Sequence, residues 1–332
     1  MTRGVKRRRS PSPVAALPPK RETLSPLSPL PDSPIASSSK AVPPESPRKT
    51  KKLKVLSDFT QTSPFPDFTS PTAQEASEVY SILATAHPQH AHGRKPPPTS
   101  PDANSATTCG KVANVIDSLI GTILSQNTSS RNSTSAKLSL DAAFGRHGFA
   151  AMAAAPRPAL VDAIRQGGLA NRKAGIIQGL LRAVHARHGA YSLQHLADAR
   201  VSDADAMAEL VGYDGVGPKT AACVLLFCLG RDAFAVDTHV FRLSRLLGWV
   251  PPRADRVQAQ MHLDVRVPAE LKYALHVLMV THGRACKGCK GGAARGGDCP
   301  LKKYLKERKG VKEEDVEAKA DEAEDEARAA AG

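Results

Sequence analysis

Aromatic residues are scarce in this 332-residue chain: they make up 4% of it, and Trp249, the only tryptophan, reads as a packing residue after Gly248. Long apolar runs are missing as well. No span approaches the roughly 18 apolar residues that a bilayer crossing requires, and the amino terminus lacks the apolar core of a secretory signal, so a soluble intracellular protein is expected. Six cysteines occur without a regular framework, which excludes a disulfide scaffold and fits a reducing compartment. Segments that alternate polar and apolar residues are absent, which argues against a β fold. Hydrophobic periodicity is also absent from residues 1–75, where Pro, Ser and Lys crowd together; that stretch reads as a disordered basic arm.

What the chain has in excess is positive charge. Its formal net charge is +14, divided as +7 in residues 1–75, +10 in 76–302 and −3 in 303–332, the last being a charged tail that starts basic and turns acidic. Such a balance suits a polyanion, because neutralising phosphates releases counterions; a membrane surface or an acidic protein would suit it too. Lys6-Arg7-Arg8-Arg9 and the basic run 48–54 read as nuclear-import signals or as non-specific nucleic-acid arms, which places the protein in the nucleus, with dual mitochondrial targeting as an alternative. Ser-Pro steps such as Ser10, Ser25, Ser46 and Ser70 look like sites for proline-directed kinases, whose phosphates would weaken an electrostatic arm.

From about residue 76 the pattern is helical throughout. Val112, Val115, Ile116, Leu119, Ile120, Ile123 and Leu124 keep a 3.6-residue period, and Ile176, Ile177, Leu180, Leu181 and Val184 form a second stripe, with Asn171 as its expected cap and Gly189 as its end. Ser202 is placed to cap a helix over 203–211. Further apolar stripes follow Asp237 and Pro268. The fold class is all-α.

The most informative stretch is 210–239, LVGYDGVGPKTAACVLLFCLGRDAFAVDTH. Gly215, Val216 and Gly217 make a turn whose glycines permit positive φ and close approach of a ligand to the backbone. Pro218 sits where proline starts a helix, and Gly230 is placed to end it. The hairpin N–H groups and the positive helix end together suit an anion such as a phosphate. Lys219, in the first turn, is disfavoured as a cation by the helix dipole, so its pKa is expected to be lowered, and a neutral amine can form an imine with an opened sugar. Asp237, eighteen residues on, is placed to stabilise positive charge on that sugar or to take the lysine proton. It is equally suited to cap the helix that begins at Thr238.

These residues resemble the helix-hairpin-helix, Gly/Pro-rich loop and catalytic-aspartate signature of the endonuclease III superfamily of DNA glycosylases (HhH-GPD). Ile123-Leu124-Ser125-Gln126-Asn127-Thr128 resembles the segment that fills the gap left by a flipped base; segments 168–174, 267–272 and 282–284 resemble further blocks in family order. Tyr213 and Asp214 stand where leucine and proline are common in the family. The resemblance implies a two-lobed helical catalytic domain over 76–302, with a helical barrel over 108–231 and a second lobe built from 76–107 and 232–302. It also implies a bifunctional glycosylase and AP lyase acting, as a monomer, on double-stranded DNA that contains a damaged base or an abasic site. Lys219 and Asp237 would be catalytic, and the base would be an oxidised pyrimidine. Removal of a mismatched base or of 5-methylcytosine, or damage binding without catalysis, are the alternatives. Gly215, Val216 and Gly217 would hold a phosphate, Gln126 or its neighbour Asn127 would fill the vacated stack, and Arg172, Lys173 and Arg284 would contact DNA.

Many relatives carry four cysteines in a C-x6-C-x2-C-x5-C array that holds an iron–sulfur cluster. Here only Cys286, Cys289 and Cys299 occur in that region, and the expected second and fourth ligands fall on Gly296 and Leu305. A [4Fe-4S] cluster is therefore expected to be absent and no cofactor is needed for the chemistry. Three states stay open: a metal-free remnant, a zinc site completed by His282, and an unusual cluster. Cys109, Cys223 and Cys228 read as ordinary small hydrophobes.

Overall fold

A computed structural model describes residues 62–98, 103–289 and 298–309. Among them there are twelve α-helices and no strand. They are α1 (Ala73–Ala86), α2 (Val115–Ser125), α3 (Ser130–Phe144), α4 (Phe149–Ala154), α5 (Arg157–Ala163), α6 (Ala170–His188), α7 (Asp203–Gly212), α8 (Pro218–Cys223), α9 (Thr238–Leu247), α10 (Arg256–Arg266), α11 (Ala269–Ala285) and α12 (Pro300–Lys309). The nuclear-import and kinase motifs up to residue 54 lie outside the described residues, as do 310–332.

Buried side chains fall into two clusters. The first takes α2 to α8 and is centred on α2, which is buried on nearly every side and carries Asp117 paired with Lys137 at 2.9 Å inside the core. The second gathers α1, α9, α10, α11 and α12, with α11 packed on α9 and α1. Between the clusters runs the extended segment 233–236. Its side chains alternate: Ala233 and Ala235 enter the first core, Phe234 and Val236 the second. Its amides are held by side chains of α10, Phe234 N–H by Asp264 at 2.6 Å and Val236 N–H by Gln260 at 3.2 Å. This segment ends at Asp237.

Several expectations change at the boundaries. Residues 62–75 are ordered: Phe65 is buried in the second core, Ser63 Oγ lies 2.6 Å from His262 Nδ1, Arg266 donates to Phe68 O, and Thr72 caps α1 in a reciprocal box with Glu75. Residues 104–107 join the first lobe instead of the second, through Asn104 to Thr134 O at 3.2 Å and Ser105 to Asp117 at 3.4 Å. The tail starts later than 303, because α12 buries Leu305 and ties Tyr304 to Glu78 and Arg308 to Glu75. Ser202 caps α7 and Gly189 ends α6 with φ +68°, as expected. Asn171 is not a cap: the chain turns into α6 through Gly168 and a left-handed Leu169, two residues earlier, which leaves Asn171 in the first turn.

Candidate active site

The hairpin joins α7 to α8. Gly215 has φ +83°, and a Cβ there would fall 2.4 Å from Ile176 Cγ2 on α6, so conformation and space both demand glycine. Val216 is buried, and its N–H closes the turn on Tyr213 O at 3.1 Å. Gly217 caps α8 with extended backbone, and Pro218 opens it. The N–H groups of Gly215 and Gly217 meet no acceptor among the described residues. Of the hairpin triplet, then, the two glycines offer donors while Val216 anchors the turn in the core. Tyr213, where leucine was expected, fills the core with its ring and hydrogen-bonds Glu209 and His188; Asp214 is exposed.

Lys219 lies one residue into α8, partly accessible. After Cys223 the helix widens into a π-helical turn, Val224–Cys228, all five residues of it buried, and the chain leaves through Gly230 at φ +69°. Helical spacing sets Cys223 one turn from Lys219 on the same face, and its thiol interacts electrostatically with both the Lys219 amine and Cys109. Cys109 arrives with a left-handed backbone (φ 54°), followed by Gly110, where a Cβ would strike Thr122 Oγ1 and Ser118 Oγ of α2. Cys109 and Cys223 are thus neighbours of the lysine, not the ordinary packing residues expected. Cys223 was recognisable as the residue four beyond Lys219; Cys109, 114 positions from Cys223, was not.

Asp237 caps α9. Its Oδ1 accepts from His239 N at 2.9 Å and Val240 N at 2.8 Å, which leaves Oδ2 outside the cap. Burial would raise its pKa, but His276, Lys219, the Val240 N–H and His239 outweigh that and hold it below the usual carboxylate range. His276, buried on α11, has Nδ1 2.7 Å from Ala235 O, and burial lowers its pKa. For Lys219 the expected lowering is reversed. Burial does push the ammonium down, but Cys223, Cys109 and Asp237 raise it, and the net direction is up. The dipole argument considered only the helix end, whereas Cys223 sits one turn along α8 and Cys109 and Asp237 reach the lysine from other parts of the chain. Between the two thiols, the Cys223 hydrogen bond draws Cys109 well below the ordinary thiol range, while Cys223 holds its own proton more tightly.

Gln126, at the end of α2, donates from Nε2 to Thr220 Oγ1 at 3.1 Å, beside Lys219. Asn127 is exposed with φ 48°. Arg172 and Arg284 are exposed. Lys173 is not: only 2% of it is accessible, and Nζ donates at 2.8 Å to both Leu124 O and Gly167 O, with burial lowering its pKa to about 8. It pins the end of α2 to the turn before α6, and cannot touch a phosphate. Cys289 and Cys299 lie in the second core with Cys286 packed against it, and the three meet His282.

A two-core helical body with a glycine hairpin aimed at a lysine and a helix-capping aspartate defines a helix-hairpin-helix DNA glycosylase. The family model for the HhH-GPD superfamily of base excision DNA repair proteins matches residues 120–269. "Putative DNA glycosylase At3g47830" of Arabidopsis thaliana is 36% identical over 260 residues, covering 72% of this chain and 87% of that protein. Endonuclease III of Sulfolobus acidocaldarius is 29% identical over 204 residues, covering 61% and 86%. Among solved structures, a trapped endonuclease III–DNA covalent intermediate superposes with a TM-score of 0.54 at 26% identity, covering 70% of this chain and 94% of that one. The chain belongs to the HhH-GPD superfamily, as an endonuclease III-like base-excision DNA glycosylase.

Proposed function

We propose that this glycosylase is bifunctional: it removes damaged pyrimidines, oxidised ones foremost, and then cuts the strand as an AP lyase through a Schiff base on Lys219. The observation that carries this reading is the convergence of Lys219 and Asp237. One stands on the hairpin helix of the first core and the other caps the first helix after the connecting segment; each shifts the other's pKa, and both remain partly accessible. The endonuclease III structure trapped covalently on DNA, and the 30% identity over 169 residues to the Arabidopsis DNA glycosylase/AP lyase ROS1, of which that match spans 12%, support it.

The target base must leave the stack, at a cost of a few kcal/mol that is least for a damaged or mismatched base. Gln126 is the side chain to enter the gap, with Asn127 beside it. The free amides of Gly215 and Gly217 take a phosphate, and exposed Arg172 and Arg284 add further backbone contacts. Lys219 rests as an ammonium and must lose its proton before attack; ionised Asp237 is the acceptor or, once the proton has gone, the anion opposite the cationic sugar. The Nζ–C1′ bond forms as the C1′–N bond to the base breaks, and the base takes up a proton as it leaves. A proton then passes from Nζ to O4′ as the C1′–O4′ bond breaks, which leaves an iminium at C1′, and loss of a C2′ proton from it expels the 3′ phosphate.

No cofactor enters this sequence of steps. The enzyme is expected to act as a monomer in the nucleus. A panel of duplexes, each with one thymine glycol, abasic site, mismatch or 5-methylcytosine, tests the substrate class. Release of thymine glycol well ahead of the others supports it; faster release of the mismatched base or of 5-methylcytosine overturns it.

A further inference from the structure

His282, Cys286, Cys289 and Cys299 bring four ligand atoms within 4.8 Å of one another. Cys289 Sγ lies 3.2 Å from Cys299 Sγ and 3.3 Å from His282 Nε2, and Cys299 Sγ lies 3.7 Å from that nitrogen. Tetrahedral zinc, with bonds of about 2.3 Å to sulfur and about 2.0 Å to nitrogen, sets its ligand atoms roughly 3.5–3.8 Å apart. The two sulfur–nitrogen separations match that scale to about 0.2 Å, and the sulfur–sulfur separation is shorter than it by about half an ångström. A [4Fe-4S] cluster does not fit: each of its four irons takes its own protein ligand, so the cube of iron and sulfide would have to lie between atoms that here are in contact, and one ligand is a histidine.

The surroundings suit a mononuclear ion. His282 Nδ1 lies 2.9 Å from Nε2 of His87, the residue that ends α1, so a proton on Nδ1 donated to His87 leaves Nε2 free to face the sulfurs. Such an outer hydrogen bond is what orients a metal-bound imidazole. Cys286 and Cys289, separated by two residues, form the turn after α11, with Cys289 N–H on Cys286 O at 3.3 Å. Cys299 immediately precedes α12. His282, Cys289 and Cys299 are at most 3% exposed. This soft donor set favours zinc over harder cations.

We infer that these four residues form a structural zinc site, Cys3His, at the position where relatives hold an iron–sulfur cluster. Binding releases the three thiol protons to solvent and leaves a site of net charge −1. It joins α11, α12 and, through His87, α1, and so holds the surface that carries Arg284 and Lys287. The proposal does not depend on the lyase reading.

The full chain, produced with both zinc and iron supplied, is tested by elemental analysis, labile-sulfide assay and visible absorbance. About one zinc per chain without labile sulfide is expected. Cys289→Ser and Cys299→Ser should lose most of it, while His282→Cys, which rebuilds a four-thiolate site, and Cys228→Ser, which alters a buried cysteine elsewhere, should keep it. Should the first two fail to fold, mercurial titration of the unmutated protein gives a second readout, with zinc released as three thiols react and melting temperature lost. Metal-free protein, a Cys289–Cys299 disulfide, or iron with labile sulfide would each overturn the site.

Discussion

Asp237 has two roles that one pair of substitutions separates. As a cap, it satisfies two α9 amides through a single oxygen; as a charge, it holds the Lys219 pKa up and, in the proposed mechanism, faces the developing cation. Asparagine caps about as well as aspartate, whereas alanine loses about 1 kcal/mol of cap, roughly 2–4 °C of melting temperature for a domain of this size. Asp237→Asn should therefore melt close to the unmutated protein and Asp237→Ala below it. Both should slow single-turnover trapping on abasic DNA by roughly 10²–10³-fold, the scale of losing one preorganised charge partner, about 3–4 kcal/mol of barrier. The pH profile adds a third readout. Trapping needs the free amine, so the rate climbs as pH rises toward the elevated Lys219 pKa. Removing an anion that raises this pKa moves the climbing limb to lower pH in both variants. An Asp237→Asn protein that traps at the unmutated rate, or whose limb moves to higher pH, would refute the charge role; one that melts with the alanine variant would refute the cap.

Three other outcomes are expected. Lys173→Met should lower stability by about 2–4 kcal/mol in urea unfolding, because two buried carbonyls lose charged donors, while salt-dependent DNA affinity stays unchanged. Gly215→Ala should cost about 1–3 kcal/mol and weaken binding to undamaged duplex, since the strained turn must also move away from Ile176; equal affinity in a filter or anisotropy assay would remove the hairpin from the DNA contact. Cys109→Ala should shift the trapping limb to lower pH, as another group that raises Lys219 is gone, with little change in melting.

Local chemistry made much of this legible. The hairpin glycines, the Pro218 start, the Ser202 and Asp237 caps and the stripe of α2 all follow from spacing, because each is settled within one or two helical turns. What escaped depends on partners far along the chain. The ordering of 62–75 comes from His262 and Arg266, nearly two hundred residues away, and no periodicity within a Ser/Pro-rich peptide signals it. Cys109 reaches Cys223 only because a left-handed turn folds onto α2. Lys173 was a different kind of miss. It falls on the same stripe as Ile177, Leu180 and Val184, so the helical period already placed it inside, and its charge distracted from that. His282 meets Cys289 and Cys299 through contacts that no local periodicity signals.

The central claim is a covalent bond from Lys219 to the sugar. Incubating the full chain with an abasic duplex and borohydride, then digesting the product and locating the reduced adduct by mass spectrometry, tests it directly. A single adduct on Lys219, lost in Lys219→Ala, is the predicted result; no adduct with the unmutated protein, or one carried by another lysine, would contradict the account.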